Sequence, residues 1–232
     1  MPRPSAGKRP RWRRACAALA LLAGACAGGH ALAGEPAAYT FESVFTARGE
    51  PAALYYKAAF TGSDGQQHLL QVWRDGQSRL RRSTGDASDT YVLRESPGSD
   101  GYQMIVVDYG RRITTRISRD NLLRLGHFSD WFDLAHGLRH PAGEYTLAPG
   151  ERPEKAPAPT GPCNWYELRQ AGGNHRICWS ERDRLPLVIW SQAQGAVWRV
   201  TEVQRQPIAE DIFQLHDAGF VHNDANQDID GD

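Results

Sequence analysis

Hydrophobic and polar positions alternate with a period of two along much of this chain. In Arg111–Ile117 the residues Ile113, Thr115 and Ile117 share one face, while Arg112, Thr114 and Arg116 share the other. That is the pattern of a strand with one buried and one wet side. Comparable runs rich in Tyr, Val, Ile, Leu and Trp occur at Ala53–Phe60, His68–Arg74, Thr90–Arg94 and Tyr102–Tyr109. They are punctuated by the turn signals Ser63-Asp64-Gly65, Asp75-Gly76, Pro97-Gly98 and Tyr109-Gly110. Strand signals resume at Asn164–Leu168, His175–Ser180, Pro186–Ser191 and Ala196–Val203. A strand signal roughly every 10 to 15 residues predicts an antiparallel, mainly β domain.

The segment 118–140 breaks this rhythm. Ser118 is placed to cap a short helix that Gly126 would stop, and Ser129 to cap a second, with Asp130 and Asp133 in its first turn. Trp131, Leu134 and Leu138 recur at helical spacing until Pro141. This predicts a small α insertion in a β domain spanning 34–222. Residues 149–162 read as a proline-rich exposed loop, and 223–232 as a flexible acidic tail.

The N-terminus changes the charge balance. Lys8, Arg9, Arg11, Arg13 and Arg14 precede the apolar run Ala15–Ala25, and Ala31-Leu32-Ala33 supplies small residues two apart. This is the pattern of a secretory signal peptide, with cleavage expected after Ala33. The run is too short for a transmembrane anchor. Lipoprotein anchoring at Cys26 is disfavoured, because Ala23 stands where such sites carry a larger aliphatic residue. Removing 1–33 takes away six basic residues and no acidic ones, so the overall balance of 27 against 27 becomes 21 against 27, about −6. Such a surface has no strong attraction for nucleic acid.

Cys163 and Cys178 then remain, an even pair that reads as a disulfide in an oxidising compartment. They would sit across a hairpin turning near Ala171, with no Cys-x-x-Cys spacing to suggest redox chemistry. His127, His136 and His140 cluster in sequence, but the metalloprotease pair His-Glu-x-x-His is absent, and they are read as solvent-facing or capping. Asn226, Asp228, Asp230 and Asp232 resemble the first half of a calcium loop that lacks its bidentate glutamate; they form a weak metal candidate within a solvated tail. No nucleophile elbow, phosphate loop or dinucleotide fingerprint occurs, so no enzyme and no cofactor are expected.

The mature segment is rich in tryptophan: Trp73, Trp131, Trp165, Trp179, Trp190 and Trp198. Runs such as Met104-Ile105-Val106-Val107 are apolar on both faces, so a sheet containing them needs something on its second face. The run Val72-Trp73-Arg74-Asp75-Gly76, then Arg79-Leu80-Arg81-Arg82, then Thr90-Tyr91-Val92-Leu93-Arg94, resembles the opening meander of the periplasmic lipoprotein-carrier superfamily, which includes LolA-like carriers and RseB-like regulators. Ile177-Cys178-Trp179-Ser180, Leu185-Pro186-Leu187-Val188-Ile189, Val197-Trp198-Arg199-Val200 and the closing Phe213 and Gly219-Phe220 resemble its ending. The disulfide hairpin and the acidic tail have no match there. The resemblance implies a strongly curved antiparallel sheet, an unclosed half-barrel, with 118–140 as a helical plug or lid over an apolar cavity. It further implies a non-enzymatic periplasmic protein that holds a hydrophobic ligand such as the acyl chain of a lipid or lipoprotein. The expected lining is Trp73, Tyr91, Leu93, Met104, Val106, Ile113, Phe128, Trp131, Phe132, Trp190 and Trp198. The alternative is an envelope-sensing regulator that binds a partner protein.

Overall fold

The computed structural model describes residues 39–85, 87–124 and 130–230. The leader, its cleavage point, Cys26, Gly126, His127, Phe128, Ser129 and Asp232 lie outside them. Twelve strands make one sheet: β1 (Ala53–Thr61), β2 (Gln67–Asp75), β3 (Arg79–Thr84), β4 (Ser88–Arg94), β5 (Tyr102–Asp108), β6 (Ile113–Ser118), β7 (Tyr145–Pro149), β8 (Asn164–Gln170), β9 (Gly173–Ser180), β10 (Leu185–Ser191), β11 (Gly195–Gln204) and β12 (Val221–Asp224). Their spatial order is β12-β6-β5-β4-β3-β2-β1-β11-β10-β9-β8-β7. Neighbours are antiparallel except β12, which runs parallel to β6. The sheet is strongly curved and does not close into a barrel. Register shifts fall in the β1/β11 pair at Lys57/Ala58, in β10/β11 at Ile189/Trp190 and in β9/β10 at Pro186/Val188. Each adds a residue on one strand and bends it, which is how antiparallel ladders acquire local curvature.

Four short helices accompany the sheet: α1 (Phe41–Val44), α2 (Arg119–Arg124), α3 (Trp131–His136) and α4 (Ala225–Asp230). Ser118 Oγ accepts from the Asn121 amide at 3.3 Å, as expected for the start of α2. For α3 the cap is Asp130, one residue later than the sequence pattern placed it, with its carboxylate accepting from Asp133 N at 2.7 Å. The helix ends at His136, four residues before the expected stop, because Gly137 turns left-handed at φ +67°. A side chain there would also collide with Trp198, whose Cη2 lies 2.6 Å from the Cβ position.

The two sheet faces are covered differently. On one, here the helical face, Trp131, Leu134 and Ala135 of α3 pack on Leu54, Tyr56, Val72, Leu80, Val92, Trp198 and Val200. Phe41, Val44 and Phe45 extend this cover over Leu147, Leu168, Ile177 and Trp179 at the β7–β9 end. On the opposite face two extended segments act as straps. Leu215 and Phe220 lie on Tyr91, Ile105 and Val107, and the proline-rich segment runs past β10, with Ala156 buried. The disulfide joins Cys163 to Cys178 with Cα atoms 5.4 Å apart, and Trp165 stands opposite Cys178 across β8/β9. The hairpin turns between Gln170 and Gly173, as the cysteine spacing predicted.

The tail differs from expectation. Residues 221–224 pair with β6, and 225–230 are helical rather than loose. Asn226 is anchored: its Oδ1 accepts from Ser118 N at 2.8 Å and from Asn121 Nδ2 at 3.0 Å. A carbonyl used this way on a helix is not presented as in a calcium loop, where alternate residues converge on one point.

Candidate functional site

Period-two alternation sorts the expected lining residues into two groups. The register aligns three transverse rows on the helical face of β1–β6. The first is Leu54, Arg74, Leu80, Val92, Met104 and Ile117; the second Tyr56, Val72, Arg82, Thr90, Val106 and Thr115; the third Ala58, Leu70, Thr84, Ser88, Asp108 and Ile113. Met104, Val106 and Ile113 therefore share one surface with Trp131 and Trp198. Trp198 is fixed by its indole N–H donating to Pro186 O at 2.8 Å. Arg94 stacks over Trp131 at 4.8 Å. Phe132 packs into the adjoining cluster and stacks on His136 at 4.2 Å.

Four expected lining residues belong elsewhere, and the reason is parity. Tyr55, Trp73, Arg81, Tyr91 and Ile105 form a row on the strap face. Arg81 is sandwiched there between Trp73 (5.0 Å) and Tyr91 (5.5 Å) and pairs with Asp89 at 2.7 Å. Trp73 lines a cleft of about 380 Å³ beside Ile208 and Ile212. Leu93, 37% exposed, is on the same side as Trp73 because it pairs with Arg79. Trp190 lines a cleft of about 290 Å³ with Ala59, Arg199, Lys155 and Pro157. These strands are apolar on both faces, so composition alone did not separate the two sides.

At one end of the helical face lies a buried ionic cluster that motif reading missed. Arg74 on β2 is fully buried and lies 3.3 Å from Glu50 Oε2; Glu50 is 5% exposed. His136, the last residue of α3, places Nε2 3.0 Å from the same oxygen and Nδ1 3.0 Å from Phe132 O. Arg74 also donates to Ala135 O at 3.3 Å and Asp183 O at 3.2 Å. Burial by itself would raise the Glu50 pKa, but the His136 contact and the Arg74 charge outweigh it and hold the carboxyl below its usual range. Burial pushes His136 downward, opposed by Glu50. The reading of His136 as solvent-facing or capping is therefore corrected: it is a fully buried partner of Glu50. The cluster ties the segment before β1, the sheet and α3 together. Its sequence signal was Arg74 standing in phase with Leu70 and Val72 on an otherwise apolar face.

His140 sits apart with Asp130 and Asp133, at 3.3 and 3.0 Å. These three could offer ligand atoms within 4.8 Å of one another. Each already has a protein role: Asp130 caps α3, and Asp133 accepts from the His140 amide at 3.2 Å and from its ring. The Asp133 hydrogen bond raises the His140 pKa.

On β4–β6 the helical face is only partly covered. Tyr91, Ile105, Val107 and Thr114 on the strap face are buried; on the helical face Val92, Tyr102 and Ile117 are buried too, but Thr90, Met104, Val106, Ile113 and Thr115 are only half-buried. Arg82 lies in the middle of that half-open surface. It makes no hydrogen bond or ion pair with any described residue, whereas Arg94 nearby donates to Ser99 O and to Gln77 O.

These features define an open, curved β-sheet protein with one helix-covered face and one strapped face. No protein-family model matches the chain, and no curated protein does. Among solved structures it is similar to PNGF-II, at 9% identity and a TM-score of 0.37, over 77% of this chain and 32% of that one. The chain thus spans about a third of that protein, and a likeness at this level carries no argument about function.

Proposed function

We propose that the mature chain is a non-enzymatic, exported binding protein of the periplasm, whose helical face lines a hollow that takes a hydrophobic ligand such as an acyl chain. The observation that carries this reading is the half-buried apolar patch of Met104, Val106 and Ile113 on the helical face of β4–β6. A curved sheet that seals one face with its own C-terminal strap, yet leaves Met104, Val106 and Ile113 half-open on the other, keeps apolar surface for something else. Leu122 of α2 and Trp131 of α3 border that surface and supply its apolar rim. The disulfide fits an oxidising compartment.

The test is lipid extraction and mass spectrometry of the protein purified from periplasm, followed by titration of the stripped protein with an acyl probe. Co-purifying acyl lipid and saturable probe binding are expected. A protein that carries no lipid and binds no probe, but captures a membrane-anchored partner, overturns the reading in favour of an envelope sensor.

A further inference from the structure

The strap face of β2, β1 and β11 carries two adjacent rows that the hollow does not use. Trp73, Tyr55 and Gln204 stand opposite one another in the first, and Gln71, Lys57 and Glu202 in the second. The rows are two residues apart along each strand, about 7 Å. The half-buried rings of Tyr55 and Trp73 lie with centroids 5.2 Å apart and planes tilted by 39°. Polar contacts hold the rows in place. Gln71 Oε1 accepts from the Tyr55 hydroxyl at 2.9 Å, Lys57 pairs with Glu202 at 2.9 Å, and the Gln204 amide donates to Glu202.

The segment after β11 supplies a wall. Pro207, Ile208 and Ile212 line the cleft of about 380 Å³ together with Trp73, Tyr55, Lys57 and the β11 side chains. That volume falls in the range of small-molecule sites, about 300–1,000 Å³. Two arginines of β3 pin the wall: Arg81 donates to Ile212 O at 2.9 Å, and Arg79 donates to Glu210 at 2.9 Å and stacks on Phe213 at 4.7 Å. The wall is thus fixed by links to a neighbouring strand, and space is left between it and the two rings.

Aromatic faces beside a row of amide, ammonium and carboxylate suit a ligand that is apolar on its faces and polar around its rim. A pyranose ring is built that way: its C–H groups stack on aromatic rings, and its hydroxyls both donate and accept. An acyl chain would cover Gln204, Lys57 and Glu202 without replacing their bonds to water. An anion would gain little from Lys57, whose charge Glu202 balances. We infer that this cleft is a second binding site, independent of the hollow, for a neutral pyranose residue of a glycan. The ring stacks on Trp73 and Tyr55, and Gln204, Lys57 and Glu202 hydrogen-bond its rim.

The test titrates the mature protein with maltotetraose, cellotetraose and chitotetraose, and with decaproline as the peptide that an aromatic groove would otherwise take. Saturable binding of at least one tetrasaccharide is expected by calorimetry, which needs no tryptophan as reporter. Trp73→Ala should weaken that binding about 10-fold or more, and Trp73→Phe should recover part of the loss. Gln204→Ala should weaken it about 3- to 10-fold, the scale of one hydrogen bond. Trp190→Ala, in a separate cleft, should leave it unchanged. Affinity for an acyl probe should be the same in all these variants, which separates failure of this site from failure of the hollow. Absence of saturable binding by all three saccharides overturns the assignment, as does binding that Trp73→Ala and Gln204→Ala leave unchanged. Binding of decaproline alone overturns it in favour of a peptide. Should Trp73→Ala fold poorly for want of its Arg81 contact, Gln204→Ala at the exposed mouth decides.

Discussion

Replacing Glu50 with alanine leaves Arg74 and His136 facing each other without the carboxylate between them. Arg74 is fully buried and Glu50 5% exposed, so water can do little to compensate. Breaking a buried ion pair from one side costs about 3–5 kcal/mol, because the remaining charge is stranded. For a domain of this size each kcal/mol moves Tm by about 2–4 °C, so Glu50→Ala should lower Tm by roughly 6–20 °C. Glu50→Gln, which keeps an acceptor oxygen, should lose less. Arg74→Met combined with Glu50→Gln should be more stable than Glu50→Ala, since removing both charges restores neutrality. Differential scanning calorimetry and urea unfolding of the oxidised mature protein give these values. The exposed pair Lys57–Glu202, 2.9 Å apart, is the internal control, and its removal should change nothing measurable. If Glu50→Ala behaves like that surface control, the cluster is hydrated or uncharged and the argument fails.

Three further outcomes follow from local geometry. Gly137→Ala forces a side chain into the left-handed region and against Trp198, so it should cost about 2 kcal/mol or more in urea unfolding; a change near zero would mean α3 ends differently. Replacing both Cys163 and Cys178 by alanine opens a ring closed at a separation of 15 residues and should cost about 3 kcal/mol, read as the Tm difference from the oxidised parent. His140, its pKa raised by Asp133, stabilises the fold fully below the unfolded value near about 6.5 and loses that contribution as pH rises through the folded value. The Tm gap between parent and His140→Asn should therefore shrink from pH 6 to pH 8; a gap that widens would refute the pairing.

Much of the fold was legible because alternation is a local signal. The strands with clear period-two patterns appear within a residue or two of their expected limits, and the disulfide hairpin turns where the cysteine spacing placed it. β3 was quoted only as part of a resemblance, because Arg79-Leu80-Arg81-Arg82 is too charged to read as a strand; Arg79 is paired by Glu210 and Arg81 by Asp89 and the Trp73 ring, all supplied by other parts of the chain. α1 and β7 were missed because each is at most five residues long and is held by tertiary contacts such as Tyr145 Oη accepting from the Phe41 amide at 2.9 Å. The site was half legible. Alternation alone places Met104 and Val106 opposite Ile105, but which side faces the helices depends on where the straps run, and nothing local encodes that. Arg74 and Arg82 were readable in principle, each standing in phase with apolar neighbours, Val72 and Leu80, on an inward face.

The tail offers the sharpest contrast between local and long-range information. Composition makes 223–232 a solvated acidic end whose removal should be silent, while β12 and α4 make it the edge of the sheet. Val221 to Asp224 are exposed, so their contribution is hydrogen bonding to β6 and not burial. The Val221 amide donates to Arg112 O at 2.9 Å, and Asn226 occupies Ser118 N and Asn121 Nδ2. A few such bonds at about 0.5–1.5 kcal/mol each, less the entropy of ordering the segment, give a net of about 1–2 kcal/mol. Truncation after Phe220 should therefore lower Tm by roughly 2–8 °C. It should also expose the β6 edge, whose unpaired backbone invites association with a second sheet. Light scattering and calorimetry of the truncated protein decide the matter. A monomer with the parental Tm would mean that the polar composition of the tail, and not its pairing with β6, describes its behaviour.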